Sequence, residues 1–231
     1  MDPAPVEAFW STKAAGDQRT VGTDSLPPAV PAGLAVYRLK QVHGSDVVVT
    51  GATPPPGTSA WAASPDGGAP EADAVVGVGP GACLVVLTAD CAAVALGSPE
   101  GVFGAVHVGW RGLVAGVIGR AVGAMRALGA TAVVAGLGPT IHRCCYAFGS
   151  DDLNAVAARA GEAVRGVTSD GAPALDLPAG VRAALESAGA RLVVDVDRCT
   201  ACGGDGFSFR GRRDDARQGL FVWSGPSGSR P

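Results

Sequence analysis

Three side chains carry the chemistry this sequence can do: His43 in KQVHGSD, Cys91 in LTADC and His107 in AVHVGWRG. The chain has three histidines and six cysteines, few enough to weigh one by one. His107 falls inside an apolar run that reads as a buried strand. There a histidine packs as a core residue, acts as a base or ligates a metal. Strand alternation puts Ala105, His107 and Gly109 on one face, so small neighbours leave space beside the imidazole. Extended along LVVLTADC, the same alternation puts Val85, Leu87, Ala89 and Cys91 on one face.

Two constellations follow. Cys91 with His107 makes a nucleophile–base pair for acyl or amide chemistry. Cys91, His107 and His43 make a three-ligand metal site with an open fourth position, the pattern of a catalytic zinc that acidifies bound water. Copper is the rival ion. A blue-copper centre wants a weak axial ligand such as methionine, whereas Met1 is terminal and Met125 falls in a predicted helix.

Cationic residues suggest where an anion would sit. Arg111 stands where a strand gives way to a helix, so its guanidinium and the helix-start N–H groups are expected to form an anion site near His107. Lys13 and Lys40 are the only lysines; Ser208, Arg210, Arg212 and Arg213 in FSFRGRR add a second cationic cluster, usually a solvated face, in which Ser208 and Arg210 reach inward if the segment is a strand. Cys199-Thr-Ala-Cys202 is a CxxC and Cys144-Cys145 a vicinal pair. Four thiolates on one zinc are conceivable, but adjacent cysteines chelate a single tetrahedral ion poorly, and the expectation is buried or partly buried thiols.

The elements that must position these residues alternate along the chain. Strands are predicted in LAVYRLKQVHG, SDVVVTG, on both sides of Asp90-Cys91, in VFGAVHVGW, TAVVAGLGP and RLVVDVD, and in the terminal FSFRG and GLFVWSG. Helices are predicted over 113–130, after an N-cap at Ser150, and in LPAGVRAALESAGA with proline in its first turn. Residues 51–72 read as a surface loop, 1–8 as a flexible start and 224–231 as a disordered tail. The fold class is therefore α/β, a single domain with a mixed β-sheet core flanked by helices. A net charge of −3 over 231 residues gives no nucleic-acid footprint, and no apolar run is long enough to span a bilayer. Without a visible targeting signal the expected compartment is the cytoplasm, with reduced thiols.

In series, QVHGSDVV, EADAVVG, LTADCAAVAL, AVHVGWRG, GLGPTIHRCCYAFG, DRCT and FSFRGRR resemble the laccase-domain family over residues 9–223. Its members are also described as multicopper polyphenol oxidoreductases, purine nucleoside phosphorylases or peptidoglycan editing factors. The resemblance implies a domain similar to the catalytic domains of deamidating toxins, and a zinc held by His43, Cys91 and His107. It implies small-molecule partners, a purine nucleoside and phosphate, with Arg111, Lys40, Lys13 and Arg210 expected to hold the phosphate and Asp90 to orient Cys91 or assist proton transfer; the expected oligomeric state is a monomer. The implied reaction is phosphorolysis of adenosine or inosine, with adenosine deamination beside it. Removal of misincorporated residues from peptidoglycan precursors, copper-dependent polyphenol oxidation and a non-catalytic zinc- or nucleoside-binding role rank behind it. The sequence departs from the family pattern in its short N-terminal stretch, in Ala147 where an acid is usual, and in ARQG where a TGR motif is usual.

Overall fold

The computed structural model describes residues 5–20, 26–60 and 68–225. The strands are β1 (Val6–Trp10), β2 (Ala35–Arg38), β3 (Val47–Thr50), β4 (Ser59–Ala60), β5 (Ala74–Val78), β6 (Ala82–Thr88) and β7 (Ala92–Gly97). They continue with β8 (Val102–Val108), β9 (Val133–Leu137), β10 (Arg165–Val167), β11 (Pro173–Leu175), β12 (Ala190–Asp195) and β13 (Gln218–Ser224). The helices are α1 (Trp110–Val114), α2 (Val117–Ala127), α3 (Ser150–Ala160), α4 (Leu177–Ser187) and α5 (Phe209–Arg212).

A seven-stranded sheet in the order β12-β9-β7-β8-β5-β3-β4 lies against a four-stranded sheet in the order β1-β13-β6-β2, and β10-β11 form a separate hairpin-like pair. Both larger sheets mix parallel and antiparallel pairs. The alternation in β8 explains the layering. Val102, Val106 and Val108 join the core under the helices, with Ile118, Val122 and Met125 of α2. Phe103 and Ala105 face the other way and pack on Leu84, Val86, Leu220 and Val222 of the smaller sheet. A strand covered on both faces needs apolar side chains throughout, which is why β8 reads as a continuous hydrophobic run. No helix among the described residues is long and apolar enough to cross a membrane.

Several expectations are corrected. Residues 6–8 are not a loose start: β1 pairs antiparallel with β13, Val6 opposite Ser224. Ser224 thus ends a strand, and the Gly225 amide donates to the Pro5 carbonyl at 2.9 Å. Residues 1–4, 61–67 and 226–231 lie outside the described residues. The helix expected over 113–130 is two helices, because Gly116 adopts a left-handed φ of 79° between α1 and α2. Gly149, not Ser150, occupies the cap position of α3. FSFRG is not a strand. The Ser208 side chain accepts from the Gly211 amide at 3.0 Å and caps the single-turn α5.

Candidate metal centre

Among the described residues the chain leaves the small sheet for the large one twice, and each of these crossings delivers a ligand. The β2–β3 connection leaves the small sheet for the large one and carries His43 at a φ of 61°. The β6–β7 connection does the same and carries Cys91 just after Asp90, whose φ is 96°. Non-glycine residues in this region cost energy and persist only when their surroundings hold them. Here the holding contacts are explicit. The Gln41 side chain bonds the Leu87 backbone in both directions, at 2.7 and 2.8 Å, tying the first crossing to the end of β6. The Asp90 carbonyl accepts from Ile141 N and Thr140 Oγ1, and its carboxylate accepts from Thr200 Oγ1 at 2.7 Å and Arg210 N at 2.6 Å.

His43, Cys91 and His107 converge so that one ligand atom from each lies within 4.8 Å of the others. Cys91 Sγ is 3.8 Å from His43 Nε2, and the two imidazoles meet edge to face with centroids 4.8 Å apart. Cys91 does not reach this place by strand alternation as expected. β6 ends at Thr88, and Val85 and Leu87 belong to the outer face of the small sheet, so the turn at Asp90 re-aims the thiol. The space beside His107 is real, and Gly109 creates it. A Cβ there would sit 2.8 Å from His43 Cδ2 and 3.2 Å from Cys91 Sγ. Gly109→Ala is therefore expected to push the ligands apart. Displacements of about 1 Å at a reacting centre can cost ~10²-fold in rate, and metal titration with a competing chelator should show the weakened site directly.

Sequence reasoning missed Asp73, the residue that organises the centre. It is fully buried and ends the approach to β5. Its Oδ1 bonds His107 Nδ1 at 2.7 Å and the His43 amide at 3.0 Å. Its Oδ2 accepts from the Gly44 amide at 2.6 Å and the Val42 amide at 3.3 Å. Burial alone would raise this carboxyl; the His107 bond and the backbone amides outweigh that and hold it below the ordinary carboxylate value. Because a carboxylate only accepts, His107 carries its proton on Nδ1, which leaves Nε2 for a metal.

Burial also opposes ionisation of Cys91, but the charge and hydrogen bond of His107, joined by His43, bring its thiol down to about 6. His107 responds in the opposite sense, its burial overridden by Cys91 and Asp73. The metal-free protein is thus expected to alkylate at Cys91 with half-maximal rate near pH 6, since thiolate accumulates above that value. Cys83, pushed up to about 12 by burial, is expected to stay unmodified. Peptide mapping after iodoacetamide treatment across pH checks both, and added zinc should protect Cys91.

Two imidazoles and one thiol around a gap that a single methyl would fill suit a divalent transition metal. Met125 is buried in the core under α2 and does not line the site, so it supplies no axial ligand of the blue-copper type. The ligands open onto a cavity of about 540 Å³, within the range of small-molecule sites. Arg111 and Arg210 line it: the Arg111 guanidinium lies 4.4 Å over the Trp110 ring, and that of Arg210 5.3 Å over Tyr146. Arg111 sits on a helix of five residues, so its side chain and not a helix terminus provides the charge. Lys40 and Lys13 do not line the cavity. Lys40 pairs with Glu71 at 2.8 Å on the surface, and Lys13 with Asp214 at 3.7 Å. Arg19 and Arg217, which sequence reasoning passed over, take their place in the wall. Arg217 belongs to ARQG, so that departure keeps an arginine at the cavity; Ala147 lies outside it, paired with Ala174. The four remaining partly exposed or loop cysteines are not scattered. Cys144, Cys145, Cys199 and Cys202 gather in a second cluster away from the first.

A mixed α/β domain whose sheet-crossing turns converge two histidines and a cysteine on an arginine-lined cavity defines a candidate metal-site protein. The chain belongs to the family described as multi-copper polyphenol oxidoreductase laccase, whose profile matches residues 25–224. It is similar to a purine nucleoside phosphorylase of Streptomyces coelicolor, 40% identical over 191 residues, 81% of this chain and 74% of that protein. A purine nucleoside phosphorylase of Deinococcus radiodurans is 36% identical over 214 residues, 90% of this chain and 77% of that protein. Among solved structures it is similar to protein NMB0706 of Neisseria meningitidis, with a TM-score of 0.73, 27% identity and 97% of each chain covered. YlmD of Geobacillus stearothermophilus gives a TM-score of 0.67 at 26% identity, covering 83% of this chain and 74% of that one.

Proposed function

We propose that this protein is a zinc-dependent purine nucleoside phosphorylase acting on adenosine or inosine, with adenosine deamination as a second activity of the same site. The observation that carries the reading is the two-histidine, one-cysteine ligand set at the floor of a cavity walled by arginines and aromatic rings. The names of the relatives support the substrate class.

His43, Cys91 and His107 would hold the metal, which when bound supplies a Lewis acid and lowers the pKa of water within its reach. The chain's own residues do the rest. In phosphorolysis a phosphate oxygen bonds to C1′ of the ribose as the C1′–N9 bond breaks, and the electron pair leaves with the purine. Arg111 and Arg210 hold the phosphate and offset its charge as it approaches the sugar. Their stacking on Trp110 and Tyr146 fixes the guanidinium planes before substrate arrives. Burial, and then the charge of Cys91, push the Tyr146 phenol up to about 12, so it stays protonated and donates to the departing base. Asp90 acts through others: its carboxylate anchors the Thr200 hydroxyl and the Arg210 amide and so positions the guanidinium.

The test is direct. Purified zinc-loaded protein is incubated with adenosine and phosphate, and the products are separated by chromatography. Adenine with ribose-1-phosphate is expected, and hypoxanthine derivatives if deamination accompanies it. Absence of every product from fully metallated protein overturns the reading. Substituting Arg210→Ala is expected to raise KM for phosphate more than it lowers kcat, because it removes binding charge and leaves the metal ligands in place.

A further inference from the structure

The second cysteine cluster lies where two turns leave neighbouring strands. β9 and β12 are parallel partners, so the turns that follow them emerge on the same edge of the large sheet. The first turn leads to a 3-10 segment, Arg143–Cys145, and the second to the Cys199-Thr-Ala-Cys202 turn. Backbone bonds from Thr140 N to the Arg198 carbonyl and from Thr200 N to the Thr140 carbonyl hold the two together.

We propose that Cys144, Cys145, Cys199 and Cys202 form a second, structural zinc site. Their four sulfurs all lie within 4.8 Å of one another. Cys144 Sγ is 3.6 Å from Cys145 Sγ and 3.8 Å from Cys202 Sγ. A zinc with four thiolates at ~2.3 Å in tetrahedral array needs sulfurs about 3.8 Å apart, so the spacing fits a single ion. A multi-iron cluster would spread the four sulfurs over several metal atoms and does not fit so tight a group. The vicinal pair, which looks unsuited to one ion on spacing alone, is brought into range by the tight 3-10 turn at 143–145.

The surroundings also match a thiolate site. The His142 amide points at Cys199 Sγ at 3.4 Å, and the amides of Ala201 and Cys202 act on the same sulfur, as donors do in a CxxC turn around a bound metal. Four thiolates around one divalent ion leave an excess of negative charge. Arg143 adjoins Cys144 in sequence, and Arg212 Nη1 donates to the carbonyls of Thr200 and Ala201 at 3.2 and 2.6 Å. The ion would clamp the chain segments on either side of the cavity wall. Tyr146 follows Cys145, while Thr200, within the CxxC, holds the Asp90 carboxylate.

The experiment starts from a His43→Ala, Cys91→Ala double variant, so that the first centre is absent and the result is independent of the phosphorolysis reading. The protein is purified anaerobically under thiol reductant, dialysed and measured for metal by mass spectrometry. About one equivalent of zinc is expected to remain, and adding zinc to chelator-stripped protein should release protons as thiols ionise. Cobalt in its place should give the intense thiolate charge-transfer absorption of a tetrahedral sulfur site. Adding Cys145→Ser and Cys202→Ser should remove both metal and absorption, with circular dichroism checking the fold; these two positions are partly or fully exposed and tolerate the change. A folded double variant that binds neither zinc nor cobalt overturns the proposal. So does a Cys144–Cys202 disulfide found by peptide mapping in the reductant-treated protein.

Discussion

Replacing Asp73 by asparagine is expected to weaken metal binding at the first centre by roughly 10–100-fold, the usual effect of losing a residue that orients a metal ligand. The reason is the uniformity of its partners. All four are donors: His107 Nδ1 and the amides of His43, Gly44 and Val42. A carboxylate has acceptors for all of them, whereas asparagine has one acceptor oxygen and an NH₂ group. If the NH₂ takes the Oδ1 position, His107 must present a bare Nδ1, so its proton moves to Nε2 and the metal-facing nitrogen is blocked. If it takes the Oδ2 position, the Gly44 and Val42 amides lose their acceptor and the turn holding His43 opens. Either arrangement disables one histidine. Each buried donor left unmade costs about 1–3 kcal/mol, so Tm should fall as well. Chelator competition and thermal unfolding measure the two effects, and unchanged metal affinity would sink the assignment of Asp73 as the organiser.

Asp73 also shows what was legible in the sequence and what was not. His43, Cys91 and His107 could be named because histidines and cysteines are few, and because His107 lies inside an apolar strand pattern while His43 and Cys91 fall where predicted strands end. Asp73 lies in EADAVVG, where an acid opens an otherwise apolar buried stretch. That was the available signal: a carboxylate at such a position is costly unless several donors meet it. Adjacency to Cys91 points instead to Asp90, whose carboxylate turns toward Thr200 and Arg210. Strand alternation placed His107 correctly because β8 continues to Val108. It failed for Cys91 because β6 stops at Thr88 and a left-handed residue intervenes. Local periodicity holds only while the backbone stays regular, and sites are built where it does not.

The cationic residues teach the same lesson through distance. Lys40 is three residues from His43 along the chain, yet it pairs with Glu71 on the surface. Arg217 is far away in sequence and lines the cavity, because β13 lies beside β6 and its entry turn falls next to the end of that strand. Sheet order, which no local pattern reveals, decides which charges meet the substrate. The same holds for the cysteine cluster: the β9–β12 pairing brings residues 144 and 202 together across more than fifty positions of chain.

Substituting Cys91→Ala is expected to abolish metal binding at the first centre and to lower turnover by roughly 10²–10³-fold, the scale seen when a principal stabilising group is removed from an active site. The variant separates the two chemistries that the residue types allow. If Cys91 were a nucleophile paired with His107, alanine would remove activity and leave metal content unchanged. As a ligand its loss removes both, because two imidazoles alone leave the ion without its anionic donor. The cavity changes little, since Cys91 lines its wall and alanine is smaller than cysteine. The fold should therefore survive, and Asp73 should still hold His107 through Nδ1. The metal of the first centre is expected to disappear, so metal analysis beside the phosphorolysis assay distinguishes the cases. Activity lost with zinc content intact would move Cys91 from the metal to the nucleophile's role.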